Sequence, residues 1–265
     1  MTEQIAKSLE NQRTRRNIMR MGTIGASAIV TLALTKRGMA GSICAHSGCD
    51  ACLLRGTPIL TVDGYRKIEE LAVGDLLPTM FGGIRPIQWI GHNPIKKSDP
   101  SKPWPKDARA VRIARSALAP NIPEADLYVT QAHCVFIDGV LVSAGYLVND
   151  ATITLREARE LNEREFFHIK LESHDVIYAG GAPVETLLNV NESAVNFADY
   201  FRTYGVPTGD EAPCLPMLVN WRPAGLKSRA HSALSWNNRR KRIAAIRDRL
   251  EERAIALSRQ LEPAL

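Results

Sequence analysis

Cys52 heads the stretch DACLLRGTPILTVDGYRKIEELAVGD, residues 50–75, and three chemistries are open to it. It can pack as a small apolar side chain, ligate a soft metal, or attack its own chain as a nucleophile. Just upstream, CAHSGCDAC brings Cys44, His46, Cys49 and Cys52 close together, a donor set that zinc accepts. Against zinc, Cys44 and His46 are one residue apart, whereas structural zinc sites draw their ligands from two separate knuckles. Cys49-Asp50-Ala51-Cys52 is also a C-x-x-C spacing, suited to a disulfide that switches the nucleophile off in an oxidising compartment. Some eighty residues downstream, Thr130-Gln131-Ala132-His133 ends one apolar strand and precedes another. A lone histidine at a strand end is usually a structural, hydrogen-bonded residue, so His133 gains meaning only when judged with Cys52. Cys134 reads as a buried thiol, and Cys214 is a leftover or a partner that makes the set odd.

The elements that must position these residues are strands. From Pro58 to Glu185 short runs rich in Val, Ile, Leu, Tyr and Thr are punctuated by Gly, Asp, Asn and Pro, an all-β rhythm. Asp63-Gly64 and Asp138-Gly139 stand between apolar runs and predict two-residue hairpin turns. HNPIKKSDPSKPWPKDA reads as an exposed loop. Residues 205–230 are Pro- and Gly-rich and read as a loose arm. Ile243, Ile246, Leu250, Ala254, Leu257 and Leu261 then recur at helical spacing, with Asn237 or Asn238 as a cap and the arginines on the wet face.

The 265 residues, 45% hydrophobic, suffice for one main domain with appendages. The net charge of +6 gathers at the two ends, which speaks against nucleic acid as a partner. RTRRNIMRMGTIGASAIVTLALTKRGMA, residues 13–40, joins an arginine pair to an apolar run short for a membrane span and a small-residue end. It resembles a twin-arginine (Tat) export signal, cleaved after Ala40; the bland reading is an N-terminal anchor helix with transient membrane association. Either way the middle of the chain is expected outside the cytoplasm. The expected organisation is a signal or anchor over 1–43, a β domain over 44–190, an arm over 191–236 and an amphipathic helix over 237–265.

Beyond these local readings, an ordered set of residues resembles the Hint family, the Hedgehog and intein autoprocessing domains, and in particular its bacterial stand-alone branch. At the front the matching residues are Cys52, Gly56-Thr57, Ile59, Thr61, Gly64, a strand over Ile68 to Leu71, and Val73-Gly74-Asp75. Thr130 and His133 match a T-x-x-H element, with Leu147-Val148-Asn149 as the next strand. Phe167-His168, His174-Asp175-Val176-Ile177 and Pro183-Val184-Glu185 resemble the closing element. The resemblance implies an all-β, horseshoe-like fold in which the Cys52 thiol converts the Ala51–Cys52 peptide bond into a thioester. It implies no cofactor and makes the chain's own N-terminal segment the substrate. His133 would protonate the departing nitrogen and Thr130 would hold the scissile amide, because an amine leaves only when protonated and a relaxed peptide bond resists conversion. His174 stands about where inteins carry a histidine and His168 about where they carry an aspartate. His174 is expected to be catalytic; a structural role is at least as natural for both.

Splicing also needs a terminal His-Asn, and Glu185-Thr186 stand in its place. The thioester would therefore be resolved by water, a thiol or an alcohol. The reading from another class is a secreted, non-catalytic binding module on the same scaffold.

Overall fold

The computed structural model describes residues 52–190, 194–205, 211–218 and 236–261. The expected export segment, with Cys44, His46 and Cys49, lies outside them. Most of the described chain forms two antiparallel sheets. In the first, the strand order is Ile153–Leu155, Val111–Ile113, Leu127–Val129, Leu53–Leu54, Glu163–Lys170, Trp89–Lys96. In the second it is Met217–Leu218, Val140–Ser143, Cys134–Ile137, Ala182–Glu185, Val176–Ala179, Pro58–Thr61, Gly64–Lys67, with only the Met217–Leu218 pairing parallel. Leu76–Thr79 and Gly83–Pro86 make a separate hairpin. The main core draws Leu53, Val111, Ile113 and Val129 from the first sheet and Ile59, Val135, Val142 and Val184 from the second. Val140–Ser143 is buried on both faces because Leu141 enters a second apolar cluster with Cys134 and Val176. Among the described residues no helix is long and apolar enough to cross a membrane.

At Asp138-Gly139 the expected turn forms, with positive φ at both residues (51° and 76°) and Ile137 paired with Val140. The other turn sits one residue earlier than expected: Thr61 pairs with Gly64, so Val62 and Asp63 are the loop and Gly64, at φ 104°, follows it. Ile68–Glu70 is a 3-10 turn rather than a strand, and another, Ala144–Leu147, precedes Val148. The supposed loop after Gly91 is also a correction. His92 to Lys96 continue a strand paired residue for residue with Glu163 to Phe167, and Pro94 is tolerated because this is an edge strand. Beyond it Trp104 is buried, donating Nε1–H to the Leu161 carbonyl (2.9 Å) under the Arg164 guanidinium.

The terminal helix runs from Trp236 to Leu261, so Asn237 and Asn238 fall inside its first turn instead of capping it. It is part of the domain rather than an appendage. Ile246 and Leu250 enter the main core; Arg240, Arg247 and Arg259 lie on the expected wet face, and four other arginines also dock the helix: Arg242 and Arg249 on Asp138, Arg253 on the Ser116 carbonyl, Arg239 on the Met217 carbonyl. Leu250 is 1% exposed. Leu250→Ala is expected to cost about 3 kcal/mol in urea unfolding, and Leu257→Ala, half-buried, clearly less. Equal small losses would mean that the helix is not integral.

Candidate functional site

The register of the first sheet builds the site. Leu53 pairs with Val129 on one side and Phe167 on the other, so the residue before it, Cys52, lies between Thr130 and His168. The Cys52 carbonyl accepts the Thr130 N–H (3.0 Å), and the Cys52 N–H donates to Thr130 Oγ1 (3.2 Å). Sγ of Cys52 lies 3.4 Å from Nε2 and 3.5 Å from Nδ1 of His168. The thiol is buried, 4% exposed, beside Ala110 and Phe166. One side chain thus grips the amide of Cys52 and another meets its sulfur.

Thr130 opens a tight turn in which its carbonyl accepts the His133 N–H (3.2 Å), the local reason for the T-x-x-H spacing. The turn carries the chain from the first sheet into the second, where Cys134–Ile137 begins, and buries His133 at the passage. The Cys134 N–H donates to Glu185 Oε1 (2.7 Å), and the charge of His133 acts on the same carboxylate. Burial pushes the Glu185 carboxyl up, but the hydrogen bond with His174, the field of His133 and the Cys134 amide outweigh it and hold the group below its ordinary value. Glu185 is therefore a buried carboxylate with its charge compensated.

Among the expected site residues, the structure brings Cys52 and Thr130 into contact and sets His133 at the end of the same turn. His174 instead faces Glu185 Oε2 with Nε2 (3.4 Å), while Nδ1 accepts the backbone N–H of Cys214 (3.1 Å). Nδ1 is thereby unprotonated and the ring proton sits on Nε2. Burial disfavours a second proton, yet the Cys214 side chain and Glu185 favour it and lift the imidazole to about 9.

Sequence reasoning held His168 more doubtful than His174; its place at the sulfur depends on a pairing of residues 116 apart. It missed Gly91 altogether. Gly91 pairs with His168, and a Cβ on it would lie 2.4 Å from the Trp89 ring and 2.9 Å from His168 Cδ2. The bare backbone leaves room for the imidazole. Gly91→Ala should cost about 1–3 kcal/mol and shift the His168 ring resonances in NMR spectra; an unchanged urea midpoint with unmoved resonances would show that the strands absorb the methyl group. Glu185 was legible as the end of the Pro183-Val184-Glu185 stretch of the closing element and as a departure from a terminal His-Asn, but not as the acceptor for Cys134 and His174. Zinc at Cys44, His46, Cys49 and Cys52 falls on residues largely outside those described; among the described residues no group of His, Cys, Asp or Glu is spaced to hold a metal.

A family model described as Hint domain matches residues 51–191, just over half of the 265-residue chain. Several solved structures are similar at low identity. The intein-like domain from Clostridium thermocellum is 13% identical, with 51% of this chain covering 97% of that one at a TM-score of 0.36. The MchDnaB-1 intein is 17% identical, with coverages of 51% and 98% and a TM-score of 0.34. A DnaB intein from Synechocystis is 10% identical, with 51% and 97% covered and a TM-score of 0.35. No curated protein matches the chain.

Proposed function

Because this chain belongs to the Hint domain family, we propose that it cuts itself at the Ala51–Cys52 bond by an N-to-S acyl shift followed by thioester cleavage, without splicing. The observation that carries the reading is the placing of Cys52, its amide on Thr130 and its sulfur on His168. The Cys52 thiol gives its proton to His168 and attacks the Ala51 carbonyl carbon. Thr130 Oγ1 holds the scissile N–H and keeps the nitrogen lone pair from following the carbonyl, which weakens amide resonance. His133 delivers a proton to the departing nitrogen, the C–N bond breaks, and Ala51 is left as a thioester on Cys52. Water, a thiol or an alcohol then takes the acyl group. Glu185-Thr186 in place of a terminal His-Asn removes the asparagine that splicing requires.

The cut has a purpose if residues 13–40 act as an export signal that stays in the membrane, since it frees an exported domain from its anchor. The second reading, a non-catalytic secreted module, is favoured by one observation: removal of a signal after Ala40 leaves only Gly41 to Ala51 ahead of Cys52. The two separate when residues 41–265 are expressed behind a bulky fusion partner and treated with hydroxylamine. Self-cleavage releases the partner; a fusion that stays intact with and without hydroxylamine or reductant leaves the module.

A further inference from the structure

The free edge of the first sheet is closed by residues that follow the family match. Trp89–Lys96 is the outermost strand, and an outer strand presents backbone groups that no neighbouring strand takes up. From Gln88 to His92 these groups are met by residues 194–204. The Val195 N–H donates to the His92 carbonyl (2.9 Å), and Asn196 Oδ1 accepts the His92 N–H (3.0 Å). Asn196 Nδ2 donates to the Ile90 carbonyl (2.8 Å), and the Tyr204 hydroxyl to the Gln88 carbonyl (3.0 Å). The short helix Phe197–Tyr204 also sets Tyr200, 8% exposed, edge-on against Trp89, with ring centroids 5.6 Å apart. Leu187, Val190 and Ala194 complete that apolar cluster. Trp89 in turn bends over Gly91, where its six-membered ring borders Cδ2 of His168, while Sγ of Cys52 lies at the two ring nitrogens. The His168 ring is therefore bounded by the sulfur and by an indole that the following segment holds in place.

We infer that Asn196 and Tyr200 are positioning residues for the Cys52 site: through Gly91 and Trp89 they hold the His168 imidazole against the sulfur. Only the effect on the cut rests on the proposed self-cleavage; the holding of the ring does not. Asn196 fixes the backbone on both sides of Gly91 with one side chain, so the strand cannot slide or twist away from His168 there. Tyr200 stops the indole from swinging out of the space over Gly91, and with the indole gone the imidazole gains a second rotamer. Neither residue reaches the reacting atoms, and no proton passes through them. What they set is a distance, and a proton-transfer pair drawn apart by about an ångström loses rate steeply. The domain thus uses chain beyond residue 191, where the family match ends, to keep its base at its nucleophile.

The test begins with the full chain carrying Cys52→Ala, which cannot cut itself, and with its histidines labelled for NMR. The Hδ2 signal of His168, identified by its loss in His168→Gln, is displaced by the indole ring current from its position in the urea-unfolded chain. Tyr200→Leu and Asn196→Ala should each move it toward that position, and Tyr200→Phe, which keeps the ring, should leave it in place. With Cys52 restored and a partner fused ahead of residue 41, the first two should slow release about tenfold or more and Tyr200→Phe should not. Leu250→Ala, which weakens the fold through the terminal helix, should leave signal and release rate unchanged, so that lost stability alone cannot imitate the effect. The inference is overturned if the signal stays in place in Tyr200→Leu or in Asn196→Ala, or if Leu250→Ala or Tyr200→Phe moves it as far. It is equally overturned if a parent that releases its partner is matched in rate by either of the first two. Should Tyr200→Leu not fold, Asn196→Ala, at a half-buried side chain, decides alone by the same readings. A parent that releases nothing removes the self-cleavage and leaves the signals to decide whether the ring is held.

Discussion

Cys52→Ala is expected to abolish hydroxylamine-dependent release of a partner fused ahead of residue 41, a loss on the order of 10³-fold or more. No other thiol can take its place, because the acyl shift is intramolecular and only Cys52 is bonded to the departing nitrogen. The surrounding residues should grade below it. His133→Ala and His168→Ala each remove what the proposed reaction uses as a proton-transfer group, with an expected loss of roughly 10²- to 10⁴-fold. Thr130→Val removes one hydrogen bond to the scissile amide and should cost about tenfold, the equivalent of roughly 1.4 kcal/mol. Gel densitometry of released partner against time measures all four. Undiminished release from Cys52→Ala would show that the cut does not pass through this sulfur, and a silent His168→Ala would return His168 to a structural role.

Glu185→Ala is expected to cost roughly 3–5 kcal/mol in equilibrium urea unfolding, among the largest single-residue losses in the domain. It strips the Cys134 N–H and the His174 Nε2–H of their acceptor at a site only 4% exposed. Its charge adds a pH signature. A carboxyl whose folded value lies below its ordinary 4.5 contributes stability that is fully present above that value and is lost as pH falls through the folded one. The parent should therefore weaken on acidification below about pH 5, whereas Glu185→Gln, which cannot ionise, should show a shallower acid slope. Coincident slopes for the two proteins would mean that Glu185 is not ionised in the fold.

The two predictions probe different parts of one largely buried polar run, from Cys52 and His168 through the half-buried Thr130 and His133 to Glu185, His174 and the half-buried Cys214. Its position explains the burial of so much polar chemistry. His133, His168, His174 and Glu185 are each no more than 4% exposed, at the passage between two sheets.

Alternation and turn chemistry are local, and what is local could be read from the residues alone. The strand rhythm, the Asp138-Gly139 hairpin and the apolar stripe of the last helix all follow from periods of two to four residues, whereas Thr130 and His133 stood out only as a family-like T-x-x-H element. Cys52 stayed open among three chemistries at that local level, and only an ordered set of residues running to Glu185 singled it out. Contacts between residues far apart in the chain were decided only by the tertiary structure. Whether His168 or another residue meets the sulfur depends on the register of a pairing across 116 positions, and a shift by one would turn that imidazole to the opposite face. The same holds for Pro94, acceptable only because its strand is at an edge, for the arginines that dock the helix while its outer face stays wet, and for Cys214, brought to His174 across 40 residues. Pairing partners are chosen by the whole packed core, which no local pattern records.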